Sequence, residues 1–439
     1  MQPRFALAWD GARRTDTSRS TGVKRLLSRF PRMTRHERSV LAATCLASLG
    51  SFYTMTVPAF AMPQIQRGLA IPEDEVGLLF ALLRFGTLFS LVLAVLADRV
   101  GRRRILTLSV AALALCNLLS AFAPSGIVLA WLQFGARLFL GAQILLAVVV
   151  VSEELSAANR GFGLGVVTAV GGLGGGITLL AYAFVDHLPH GWRSLFAIGA
   201  FGLLWVPWLW RSLHETRRFS DHLSHGVISG PAWQPMRDIV RHHTWRLAAL
   251  AGVVLPVSVI LEPGLTFVSK HMQDGLGYSP AQVGLLLAVC GAGTPVANVL
   301  AGNLADRFGR KPVTAFASLL LPSAVALFYN ARGIVPLSLG LMLLFVSVGF
   351  LVVLHGALAT ELFPTALRST AAGMREALAT VGSSLGLWIV GLLYAVTGSH
   401  ASSNTWMLVL APISPLVVLL SLPETAAREL EEIAPDEVT

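Results

Sequence analysis

Long apolar runs, broken at short intervals by polar residues, set the pattern of this chain. They cover residues 40–62, 76–97, 105–122, 126–152, 161–185, 194–210, 247–268, 283–305, 313–328, 335–359, 371–396 and 407–422. Each is near the roughly 20 residues with which a helix crosses a hydrocarbon core of about 30 Å. The pattern predicts an all-α membrane protein of about twelve transmembrane helices. The longest interior polar stretch, 211–246, separates six spans from six. Five segments follow: a basic tail 1–39, a six-helix bundle 40–210, a linker 211–246, a second six-helix bundle 247–422 and a tail 423–439.

Composition strengthens this reading and charge orients it. The 439 residues are 54% hydrophobic and 13% charged, outside the balance of a soluble domain. A net charge of +9 could suggest nucleic acid, but the basic residues sit where membrane topology places them. Arg29, Arg32, Arg35 and Arg38 precede the first span, and clusters follow the second (Arg99, Arg102, Arg103, Arg104), the sixth (Arg211, Arg217, Arg218) and the eighth (Arg307, Arg310, Lys311). The positive-inside rule makes these segments cytoplasmic, so both termini are expected inside, in a multi-pass protein of a bacterial inner membrane. The basic head is not a signal peptide, for no separate apolar stretch precedes the first full span. It reads as a solvated tail, or as a segment laid on anionic lipid through Leu26, Leu27 and Phe30.

Other chemistry finds little support. Cys45, Cys116 and Cys290 fall inside spans, which excludes a disulfide framework and a CxxC metal site. His214, His222, His225, His242 and His243 lack ordered ligand spacing, so no metal is expected. Glycines crowd the fifth span without a following Lys-Ser or Lys-Thr, which points to close helix packing and not to a phosphate loop. HExxH is absent, and the one GxSxG match, Gly382-Ser-Ser-Leu-Gly386, lies inside an apolar span and not at a strand-to-helix turn, so the chain is read as no enzyme, with no cofactor.

The charged residues repeat. Asp98, Glu153 and Arg160 recur as Asp306, Glu361 and Arg368, each 208 residues later, and Glu215 recurs as Glu424, 209 later. Around the first pair the chain reads Ala94-Val-Leu-Ala-Asp98-Arg99-Val-Gly101-Arg102-Arg103 and Gly302-Asn-Leu-Ala-Asp306-Arg307-Phe-Gly309-Arg310-Lys311. Glu361-Leu-Phe-Pro364-Thr-Ala-Leu-Arg368 has a first-half twin in Glu153-Glu-Leu-Ser156-Ala-Ala-Asn-Arg160. Two related halves about a midline site form a common architecture of secondary transporters.

These segments resemble the GxxxDRxGRR/K and ExxPxxxR motifs of the major facilitator superfamily, and Pro423-Glu424-Thr425 is similar to the tail of its sugar porters. The resemblance runs from about residue 40 to 432 and departs at Ala94, which replaces the leading glycine, and at Ser156, which replaces proline. It implies two pseudo-symmetric six-helix bundles rocking about a central site, powered by a proton gradient. It also implies a cytoplasmic gate of Asp98, Arg102, Arg103, Glu153, Arg160, Asp306, Arg310, Lys311, Glu361 and Arg368. Within it Arg102 or Arg103 pairs with Glu153, and Arg310 or Lys311 with Glu361, closing the inside when the protein faces outward. Topology markers alone are the competing reading of these arginines.

The remaining intramembrane charges have no counterpart 208 residues away. Arg84 maps to Ala292, Arg137 to Phe345, Glu262 to Thr54, Arg375 to Val167 and Glu376 to Thr168. A charge inside a bilayer is costly and marks function by default. Arg84 lies 14 residues before Asp98, Arg137 15 before Ser152 and Glu262 15 after Leu247. At about 1.5 Å per residue the three share one layer, roughly 21–23 Å from the cytoplasmic face. The family's central cavity is lined by spans one, four, seven and ten, so Arg137 and Glu262 are expected to face it, with Arg84 on a flanking span. Arginine forks suit an anion, whereas a carboxyl in a poorly hydrated cavity can carry a proton. Pro263-Gly264 is expected to interrupt the seventh helix.

Plainer roles remain open: Arg137 in the RxxxG pattern of proton-coupled facilitators, Arg84 as a structural partner of Glu262, and Arg375 and Glu376 as parts of the inner gate. Gln143 and His355 are cavity candidates by helix number. The sequence thus reads as a secondary active transporter, taking up a small organic anion, a carboxylate, with protons. Its expected partners are that solute, protons and the lipid bilayer, without nucleic acid, and it is expected to act as a monomer. The alternative is drug or metabolite efflux by proton antiport, with a sugar porter or a membrane sensor behind it.

Overall fold

The computed structural model describes residues 33–213, 215, 234–364 and 367–425. Most of both expected tails, most of the linker with His214, His222 and His225, and the side chain of Asp98 lie outside the described residues. Among the described residues, twelve helices are long and apolar enough to cross a membrane. They are α1 (Arg35–Phe60), α2 (Glu73–Ala97), α3 (Arg102–Ala121), α4 (Gly126–Glu154), α5 (Asn159–Ala183), α6 (Trp192–Ser212), α7 (Thr244–Thr266), α8 (Pro280–Phe308), α9 (Arg310–Asn330), α10 (Ile334–Glu361), α11 (Arg368–Thr397) and α12 (His400–Ser421). The fold is all-α.

Polar residues start several helices where hydropathy sees only a loop. Thr34 and Glu37 form a reciprocal capping box at α1, and Ser279 and Gln282 form one at α8, with Pro280 in the first turn. The largest displacement is at α12, expected from residue 407 and found from His400. Its first turns are polar but satisfied internally: Ser403 bonds Thr397 and the Ser399 carbonyl, and Asn404 donates to the carbonyl of His400.

α7 also differs from expectation. Pro263-Gly264 does not interrupt it, and the helix runs on to Thr266. Proline removes one helical N–H, yet neighbouring helices can compensate for the freed backbone. Here Gly386 of α11 lies so close to α7 that a Cβ on it would sit 2.2 Å from the Val259 carbonyl oxygen, and the Tyr329 hydroxyl of α9 donates to the Gly264 carbonyl at 3.0 Å.

Small residues set the other close crossings as well. A Cβ at Gly174 of α5 would lie 2.2 Å from the Leu49 carbonyl of α1, whereas Gly161, Gly165, Gly172 and Gly176 have nothing within 4 Å. Only part of the α5 glycine run therefore serves packing against α1. At Gly86, where α2 tightens into a 3₁₀ turn (Gly86–Phe89), a Cβ would lie 2.2 Å from the Phe134 carbonyl of α4. Since Arg84 is two residues before Gly86 and Arg137 three after Phe134, this crossing draws the two arginines together.

Arg102 and Arg310 mark one end of the molecule, the basic end; the far end lies opposite. Across the middle, α2 packs on α11, where a Cβ at Gly77 would lie 2.5 Å from the Leu387 carbonyl, and α5 meets α8 where Gly284 faces Leu179 and Ala183.

Candidate functional site

At mid-depth, the halves enclose a cavity of about 170 Å³. α1, α2 and α4 line it from one half, and α7, α8, α10 and α11 from the other. Arg84, Arg137 and Glu262 all face it, among Met55, Phe60, Phe80, Leu83, Leu265, Leu287, Phe345 and Leu387. Arg84 is therefore not confined to the flank of the site. Its guanidinium Nη2 is 3.3 Å from Glu262 Oε2, an ion pair that crosses between the halves. Ser383 of α11 adds a long hydrogen bond to the same carboxylate oxygen, at 3.5 Å.

Arg137 is the more buried of the two arginines, at 6% exposure. Its guanidinium donates to the Met55 carbonyl at 2.9 Å. One carboxylate thus faces two guanidiniums, which leaves one positive charge on the cavity wall. Such a charge is poorly solvated and strongly favours an anion.

Gln143 and His355 lie elsewhere. Gln143 accepts from Ser51 and donates to the Ser109 carbonyl, both at 2.9 Å, so it joins α1, α3 and α4 within the first half. His355 is buried in α10 with Nε2 unpartnered, and it does not line the cavity. Among the described residues, no group of three or more His, Cys, Asp and Glu side chains is placed to hold a metal ion.

At the basic end the two halves repeat one construction. Arg102 pairs with Glu153, while Arg310 bonds Glu361 at 3.0 Å and Asp306 at 2.7 Å. The Arg103 side chain is used otherwise: it lies over the Trp210 ring at 4.3 Å and donates to its carbonyl. Lys311 meets Glu424 through its main-chain N–H at 3.2 Å. Each ion pair joins helices of a single half. The expected pairs Arg102–Glu153 and Arg310–Glu361 are thus formed within each half, in a structure whose far end is the closed one. Arg160 and Arg368 keep Nε without a hydrogen-bond partner, and Arg375 pairs with its neighbour Glu376 at 2.6 Å.

The role of Glu215 and Glu424 escaped the sequence reading. Glu215 accepts the Arg102 N–H at 2.7 Å, and Glu424 accepts the Arg310 N–H at 2.7 Å, so each carboxylate sits on the positive end of α3 or α9. The preceding Gly101 and Gly309 have φ of 115° and 101°, and a Cβ there would lie 2.4 Å and 2.6 Å from the carboxylate. Only glycine suits both the backbone and the space.

The far end carries a junction that nothing in the sequence repeat marks. Lys270, just past α7, bonds Glu73 of α2 at 3.0 Å, Asp274 at 2.9 Å and Gln66. His400 of α12 reaches the other Glu73 oxygen at 2.9 Å, its ring held between Phe267 and Tyr394. Gln64 bonds Gln273 at 2.7 Å, and Tyr182 meets Ser269 at 2.9 Å. Glu73, Gln64, Gln66 and Tyr182 belong to the first half and their partners to the second, so the far end is held shut by polar contacts. Lys270→Met is expected to loosen it, because removing one partner of a buried pair is strongly unfavourable. A cysteine at Thr56, in a chain lacking Cys45, Cys116 and Cys290, should then react about tenfold faster with an impermeant thiol reagent applied at that end, a shift of about 1.4 kcal/mol. An unchanged rate would remove Lys270 from the closure.

Twelve membrane-spanning helices in two halves, with a charged cavity between them closed at one end, define a secondary transporter of the alternating-access type. The family model described as Major Facilitator Superfamily matches residues 44–263 and 263–437, and the chain belongs to that superfamily. It is 25% identical over 377 residues, 77% of this chain and 72% of the relative, to a glycine betaine/proline/ectoine/pipecolic acid transporter of Dickeya dadantii. It is likewise 25% identical over 415 residues, 83% of this chain and 77% of the relative, to the multidrug resistance protein Stp of Mycobacterium tuberculosis. Its fold matches the partially occluded, inward-open xylose transporter of E. coli with a TM-score of 0.70 at 17% identity, over 90% of this chain and 100% of that one.

Proposed function

We propose that this transporter takes up a small organic anion, a carboxylate, together with protons. The observation that carries the reading is the cluster of Arg84, Arg137 and Glu262 on one cavity wall. A cargo carboxylate would meet the Arg137 fork and compete with Glu262 for Arg84, and the displaced Glu262 would accept a proton. Cargo and proton are thereby linked through one guanidinium. The substrates named for the Dickeya relative bear carboxylates, though each also carries a cationic nitrogen, so they share with this reading the carboxylate alone. The basic end faces the cytoplasm of a bacterial inner-membrane protein, with both termini on that side. Helices 40–210 and 247–422 move as two units of a monomer, and Arg160 and Arg368 join the gate when the basic end closes.

A second reading, efflux of a drug or metabolite by proton antiport, is favoured by the apolar share of the cavity wall and by the Stp relative. Purified protein in proteoliposomes under an imposed pH gradient separates the two. Under the first reading, an acidic exterior drives accumulation of organic acids, and neither sugars nor cationic drugs are moved. Expulsion of a cationic drug against the same gradient, with no movement of acids, would establish the second.

A further inference from the structure

The lining of the mid-depth cavity specifies more than an anion. Resting on the uptake reading above, we infer that the cargo is a monocarboxylate with an apolar, ring-sized body, and that it crosses with one proton so that no net charge moves.

Charge decides the stoichiometry. The ionisable residues lining the cavity are Arg84, Arg137 and Glu262. Ser383, from α11, adds only a hydroxyl to Glu262. With Glu262 ionised and no cargo, the wall carries one positive charge. With Glu262 protonated and one cargo carboxylate between the arginines, it carries the same single positive charge. The empty and fully loaded forms are thus electrically equivalent, and either can cross without a change in the buried charge. A proton alone would leave two cations together, and a cargo dianion beside protonated Glu262 would leave no net charge where the empty form holds one, so the two forms would no longer be electrically equivalent. Glu262 supplies one site for one proton.

The remaining wall decides the body of the cargo. Phe60, Phe80 and Phe345 stand among leucines, and the uncharged polar side chains that line the cavity are Thr56 and Thr266. A polyhydroxylated cargo would bring several hydroxyls to a wall with few partners, and buried hydroxyls without partners are costly. The cavity, at about 170 Å³, is of the size that takes a single aromatic ring; an engineered apolar cavity of about 150 Å³ binds benzene.

The test uses the full chain in proteoliposomes, with protein-free vesicles subtracting passive permeation. Labelled benzoate is the probe, set against succinate, glycine betaine and xylose, and potassium with valinomycin sets the membrane potential. The expected result is benzoate uptake driven by an acidic exterior, unchanged within about twofold between zero and 100 mV of either sign. A cycle moving one net charge would change accumulation by about 50-fold over 100 mV. That result overturns the one-proton stoichiometry and leaves the organic-anion reading standing. Preference for succinate overturns the monocarboxylate class alone. Preference for glycine betaine or xylose, or neither uptake of benzoate nor thermal stabilisation by it, overturns the inference, and with xylose as the sole cargo the carboxylate reading falls too.

Discussion

Glu262→Gln is expected to abolish acid-driven accumulation while leaving exchange of cargo across the membrane intact. Glutamine keeps the shape of the carboxyl and removes its charge, so it imitates the protonated side chain permanently. Arg84, 3.3 Å away in the native protein, loses its ionic partner and becomes free to bind the cargo carboxylate with Arg137. Binding therefore survives, and the link between binding and proton release does not. A gradient of two pH units stores about 2.7 kcal/mol per proton, enough for about a hundredfold accumulation with one proton per cargo. Net uptake by the variant should fall away, because its empty form holds two arginines without a counter-charge, whereas counterflow into preloaded vesicles should persist at a rate close to the native one. Acid-driven accumulation by the variant would place the coupling proton elsewhere.

Arg137→Met should separate binding from stability. The substitution keeps much of the side-chain volume and removes a buried cation that donates to the Met55 carbonyl. A charged hydrogen bond to cargo contributes about 1.5–3 kcal/mol, so the KM for a carboxylate should rise by about 10- to 150-fold. An uncharged amide of the same shape should be unaffected. Replacing a poorly compensated buried charge by an apolar side chain is often stabilising, so the empty variant should melt a few degrees higher than the native protein. Arg137→Lys should recover only part of the affinity, because an ammonium lacks the planar fork. Equal losses for the acid and its amide would reduce Arg137 to a packing residue.

How much of this was legible differs by kind of residue. The spans were legible because apolar length is a one-dimensional property, and errors gathered where polar residues continue a helix, as at His400 to Trp406. The common depth of Arg84, Arg137 and Glu262 followed from helical rise alone. The facing of Arg84 did not, because it depends on the crossing at Gly86 and Phe134 and on the 3₁₀ turn that shifts helical phase there. Arg102 and Arg103 are equivalent by composition, and the structure distinguishes them because Trp210 offers a ring to one and α4 a carboxylate to the other. The far-end junction was invisible for another reason. Lys270 and Glu73 are 197 residues apart and His400 and Glu73 are 327 apart, and no repeat or motif joins them.

The carboxylates of Glu215 and Glu424 have a mechanical consequence. Each follows the sixth helix of its half and grips the first turn of the third, 113 and 114 residues earlier in the chain. The third and sixth helices of each half already pack on each other, and the strap fastens them at the basic end, so a pull on the last helix is passed directly to the third. Two halves stiffened in this way give at the seam between them, where Arg84 and Glu262 touch. A change of charge at that seam would then act on whole bundles and not on single helices.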